Sequence, residues 1–61
     1  IMTVAEQLQS LVVKLQEAIG DAHKFESRGV DAAGKRIRKT CLEVAKEAKA
    51  LRVKVQELRN G

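Results

Sequence analysis

From Val4 onward, apolar residues recur in alternating steps of four and three: Val4, Leu8, Leu11, Leu15, Ala18, Ala22 and Phe25. That spacing draws a heptad seam along one face of a helix. Thr3 and Glu6 fit a capping box at its start. Gly29 suits a left-handed C-terminal cap, with Val30 as the apolar residue that often follows one. Gly20 costs this helix about 1 kcal/mol relative to alanine, yet the seam runs through it. A second seam of the same period comprises Ile37, Cys41, Val44, Ala48, Leu51, Val55 and Leu58. Asp31 is its expected N-cap, and Asn60 and Gly61 favour a helix end. The pattern predicts one helix over 4–28, a turn over 29–31 and a second helix over 32–60. The fold class is therefore all-α, an antiparallel two-helix hairpin.

Each apolar stripe is wider than one partner helix covers. Val12 and Ile19 lie beside the first seam, and Leu42 and Ala45 flank the second. Two hairpins forming a four-helix bundle would cover the surplus, and the expected state is such a dimer or a higher oligomer. Its expected core is Leu8, Leu11, Leu15, Ile37, Val44, Leu51 and Val55. The alternative is a lone hairpin with a few exposed apolar residues. Length favours assembly, because 61 residues form one small domain that buries only about 60% of its unfolded surface. The usual staples are missing. One cysteine, Cys41, makes no internal disulfide, and one histidine, His23, supplies no set of zinc ligands.

Charge sharpens the picture. The net charge is +4, but residues 1–22 hold one base against three acids, and residues 23–61 hold eleven bases against five acids. Such asymmetry points to a polyanionic partner. With no Trp or Tyr and one Phe, stacking of single-stranded bases on aromatic platforms has little to work with. The stretch GVDAAGKRIRKT nearly spells a phosphate-binding loop: Gly29, Gly34 and Lys35 fall in register, but Arg36 stands where the magnesium-binding hydroxyl belongs. That motif also needs a preceding β-strand, and here an amphipathic helix precedes it. The useful remnant is a basic hairpin tip, with Lys24, Arg28, Lys35, Arg36, Arg38 and Lys39 gathered near a helix N-terminus. Lys46, Lys49 and Arg52 extend the basic surface along the second helix, with Arg59 further on. Glu43, Glu47 and Glu57 partly offset it.

The run GVDAAGKRIRKTCLEVAKEAKALRVKVQEL resembles the hairpin of the bacterial histone-one-like nucleoid proteins, the chlamydial type and its short relatives. The likeness is carried by Ala32-Ala33-Gly34, Arg36, Arg38-Lys39, Leu42-Glu43, Lys46, Lys49 and Arg52, within roughly residues 24 to 58. It implies a DNA-binding, chromatin-compacting role in the nucleoid. Chlamydial-type members continue into a long Lys/Ala/Pro-rich tail, whereas this sequence ends at Gly61. Val30-Asp31 stands where relatives tend to carry a polar-basic pair, which lowers the positive potential of the tip.

Other chemistry finds little support. His23 reads as a surface residue near the tip, and Cys41 as a small apolar seam residue; they face different ways, so no Cys-His pair forms. The carboxylates are scattered over outer faces without a pocket, so no catalytic residue, metal site, cofactor or small-molecule substrate is expected. No apolar run approaches the ~20 residues of a membrane span, and no signal-peptide pattern opens the chain. Ile1 before Met2 points to Met2 as the natural start. The sequence reading is a cytoplasmic, nucleoid-associated homo-oligomer that contacts duplex DNA through phosphates, with little sequence preference. Its rival is a helical protein-interaction module without nucleic-acid binding, for which Leu42 and Val53 are the exposed apolar candidates.

Overall fold

The computed structural model describes residues 2–60. Ile1 and Gly61, the latter expected to help end the second helix, lie outside the described residues. Helix α1 spans Val4–Arg28 and helix α2 spans Asp31–Asn60. They pack antiparallel into a rod of 49 × 16 × 15 Å.

The caps explain the boundaries. Thr3 Oγ1 accepts from the Glu6 amide at 3.1 Å, and the Thr3 amide donates to Glu6 Oε1 at 3.0 Å. This reciprocal pair occupies two amides that have no partner within the helix. It also holds the Glu6 carboxyl below its ordinary pKa, chiefly through the Thr3 amide. At the other end, Gly29 adopts φ 62°, ψ 32°, and its N–H reaches the Phe25 carbonyl at 2.9 Å. A β-carbon would disfavour that left-handed conformation. Helix α2 begins one residue earlier than expected. Asp31 is already inside its first turn, and the Val30 carbonyl accepts from the amides of Ala33 (3.1 Å) and Gly34 (3.3 Å).

The helix–helix seam corrects the sequence reading. Leu11, Ala33 and Leu51 are buried. Around them, Val4, Gln7, Lys14, Ala18, Asp21 and Ala22 of α1 are half-buried, as are Ile37, Thr40, Val44, Ala48 and Lys54 of α2. Leu8 and Leu15, expected in the seam, remain 49% and 45% exposed, and Phe25 is 46% exposed. Cys41, Val55 and Leu58 are also exposed. The physical reason is the width of the stripes. A single partner covers only the centre of each, so Gln7, Lys14 and Asp21 occupy one side of the contact while Leu8 and Leu15 turn out on the other. Lysine tolerates that position because its methylene stem lies along apolar surface while the ammonium reaches water and carboxylates.

The two long faces of the rod differ as a result. Across one face, the Lys14 ammonium bridges to Glu47 and, at 4.0 Å, to Glu43. Arg36 grips Asp21 with Nε at 3.1 Å and a terminal nitrogen at 2.9 Å. Lys54 donates to the Met2 carbonyl at 2.7 Å. The opposite groove is lined by Val4, Leu8, Ala48, Arg52 and Val55, with Leu11 and Leu51 at its floor. One face is sealed by ions, and the other is apolar and open.

Two glycines inside the helices have contrasting surroundings. A β-carbon on Gly20 would meet nothing within 4 Å, whereas one on Gly34 would stand 2.8 Å from the Phe25 ring. Gly20→Ala should therefore stabilise the hairpin by about 1 kcal/mol. For a domain this small, that is roughly 4–8 °C in Tm, read by circular dichroism. Gly34→Ala must displace the Phe25 ring and should gain less.

Candidate nucleic-acid interface

The near-motif around Gly29 resolves into ordinary helical structure. An α-helix, not a strand, precedes Gly29, and Gly34 and Lys35 lie within α2. The Lys35 ammonium faces Asp31 one turn back at 3.5 Å. The sequence reading also drew on the positive pole at the start of α2. In the hairpin, the C-terminus of α1 lies beside that pole, so the two macrodipoles oppose each other at the tip. Attraction for anions must come from side chains.

The nine expected contact residues fall into two groups. Arg36 is committed to Asp21, which sits 19% exposed, and this partner holds the Asp21 carboxyl below its ordinary pKa and raises that of Arg36. Lys35 has a looser partner in Asp31, both being largely solvated. Lys24, Arg28, Arg38, Lys39, Lys46, Lys49 and Arg52 have no ion-pair partner among the described residues, and Arg59 joins them. All eight are exposed. The tip is therefore weaker than expected, and the longer run along α2 is the more available surface.

That run has a regular layout. A helix with a seven-residue seam places residues seven apart in rows along its length. Lys35, Leu42, Lys49 and Gln56 form the row pointing most directly away from α1. Arg38, Ala45, Arg52 and Arg59 lie on one side of it, and Lys39, Lys46 and Val53 on the other. Every one of these side chains is exposed. The rows from Arg38 to Arg59 extend about 32 Å at 1.5 Å per residue.

Sequence reasoning missed the Arg36–Asp21 clamp, the reach of Lys14 across the seam and the tether from Lys54 to Met2. A signal for the first was present. Asp21 and Arg36 are equally far from the turn, as are Lys14 and Glu43, and an antiparallel hairpin brings such pairs opposite each other. His23 is exposed, and its carbonyl accepts from the Ser27 hydroxyl. No group of His, Cys, Asp and Glu suited to a metal occurs among the described residues, and no helix is long and apolar enough to cross a membrane.

The family model described as histone H1-like protein Hc1 matches residues 2–61. No curated protein and no solved structure matches the chain. The chain belongs to the histone H1-like Hc1 family, whose members are non-enzymatic DNA-binding proteins.

Proposed function

We propose that this Hc1-family hairpin binds duplex DNA through the three cation-bearing rows on the outer side of α2, and compacts it as a dimer in the nucleoid. The observation that carries the reading is the allocation of charge. Among the described residues, Asp21, Asp31, Glu43 and Glu47 are occupied on the ion-sealed face or within α2's first turn, while eight cations remain free. Free cations on a helical ridge neutralise phosphates and release counterions, and that gives affinity without base readout. Lys24 and Arg28 add contacts near the tip, and Lys35 and Arg36 contribute secondarily because each already has a carboxylate.

The open apolar face supports assembly. The chain exposes 5040 Å² at a mass of 6.7 kDa, against about 3,900 Å² for a compact monomer of that mass. The excess is similar to the ~800 Å² per partner that a standard interface buries. Two hairpins joined through Leu8, Leu15 and Val55, with Leu11, Ile37, Val44 and Leu51 beneath, make a four-helix bundle. Its α2 ridges stay outside, so one dimer offers two DNA-binding surfaces and can bridge two duplexes. Fluorescence anisotropy with a random-sequence duplex at two salt concentrations tests the binding. Micromolar affinity or better that falls steeply with salt is expected, and no binding at low salt would end the proposal.

A further inference from the structure

Leu42 is 73% exposed, more than any other large apolar residue among those described. Neither the seam nor the proposed dimer accounts for it. It points about 120–140° round the helix from Ala48 and Val55, which border the apolar groove. Its surroundings are specific. One turn away on either side lie Arg38, Lys39, Ala45 and Lys46, and two turns away lie Lys35 and Lys49. The nearest acid in sequence, Glu43, is turned toward Lys14. An apolar side chain at the centre of a cationic ridge is a poor docking site for a protein or a lipid surface. Beyond the small Ala45, the next apolar residue on the ridge is Val53, about 16 Å further along, and no aromatic lies between Leu42 and Val53.

We infer that the outward side of α2 lies in the major groove of duplex DNA, with Leu42 against the base edges. This rests on the DNA-binding reading above and adds to it a defined pose. The groove is about 12 Å wide and admits an α-helix, whose diameter with side chains is about 10–12 Å. Its two walls are lines of phosphates. On α2, Arg38 and Arg52 flank the Leu42 row on one side and Lys39 and Lys46 on the other, so each wall meets its own row of cations. The floor presents the thymine methyl group, the one apolar feature of the base edges and a natural partner for a leucine. The pose therefore implies a mild preference for thymine-bearing duplexes, added to the phosphate contacts.

The test uses fluorescence anisotropy on two duplexes of equal length, one built of dA·dT pairs and one of dA·dU pairs, which lack the methyl. Each is titrated over a series of salt concentrations. The unsubstituted chain should bind the thymine duplex about fourfold more tightly, the effect of burying about one methyl group. Leu42→Ala should bind both duplexes equally and keep the same salt slope, because no phosphate contact is lost. Far-UV circular dichroism should show unchanged helicity, since the leucine is exposed and alanine is a strong helix former. If the unsubstituted chain binds both duplexes equally, or Leu42→Ala retains the thymine preference, the groove pose is overturned while DNA binding stands. Absence of any duplex binding at low salt overturns both readings. Vesicles containing phosphatidylserine form the last arm. Loss of vesicle binding by Leu42→Ala, with its duplex binding unchanged, assigns the ridge to membranes and overturns the pose.

Discussion

Leu15→Lys should convert the proposed dimer to a monomer at micromolar concentration, with the sedimenting mass falling to the 6.7 kDa of one chain. Leu15 is 45% exposed in the single hairpin, so a lysine there can reach water and the intramolecular seam is barely disturbed. Across the dimer interface the situation reverses. An ammonium would be carried into apolar surroundings with no carboxylate to meet it, at a cost of several kcal/mol. Symmetry applies that cost twice per dimer. Each 1.4 kcal/mol is tenfold in affinity, so the dissociation constant should rise by at least about 100-fold. Much of the helicity should disappear as well, because three buried residues make too thin a core for a solitary hairpin. Val13→Lys is the control. Val13 is 44% exposed but lies off the face formed by Leu8 and Leu15, so this variant should stay dimeric. A well-folded monomer in the unsubstituted protein would remove the four-helix bundle from consideration.

The second large effect concerns duplex affinity. Lys46→Gln with Arg52→Gln should reduce the dependence of log affinity on log salt by ~2 per chain engaged, at about 0.9 per phosphate contact. At 0.1 M salt this corresponds to roughly 50-fold weaker binding. The loss should be alike for unrelated sequences, because these contacts carry no base information. Arg36→Gln should behave differently. Its guanidinium already holds Asp21 through two hydrogen bonds, so the substitution should lower the melting temperature while changing the salt slope little. If Arg36→Gln proves equal to the double variant, the tip carries the contacts and the α2 ridge does not.

These outcomes turn on what could and could not be read along the chain. Both helices, the Thr3–Glu6 cap and the left-handed Gly29 follow from local chemistry, because periodicity and capping involve residues within a turn of each other. The rotation of each helix about its own axis does not. Leu8 and Gln7 are neighbours on α1, and which of them faces α2 depends on where the partner's small residues Ala33 and Ala48 allow close approach. For the same reason, Cys41 turned outward although it keeps the seam's period. The charge map was legible in total but not in distribution. Counting bases near the tip gives six; Asp31 is one helical turn from Lys35 and legible as its partner, whereas the hold of Asp21 on Arg36 emerges from the pairing of the two helices. Leu42 was visible as a flanking apolar residue, but its isolation within a cationic ridge emerges once Glu43 is seen turned toward Lys14, 4.0 Å away.

The two-residue link between α1 and α2 also governs how the chain reaches this state. Once Gly29 has turned the backbone, Phe25 and Gly34 are already in contact, and each further pair toward the open end closes only a small additional loop. The hairpin can therefore zip outward from the turn, the behaviour of low-contact-order helical proteins that fold in microseconds to milliseconds. The sequence of closure also ranks the pairs by durability. Asp21–Arg36 forms early and opens late, whereas Lys54 and the Met2 carbonyl, 52 residues apart, meet last and part first. The open end where Lys54 meets Met2 is the first to part, and the turn is the point from which the native pairing is recovered.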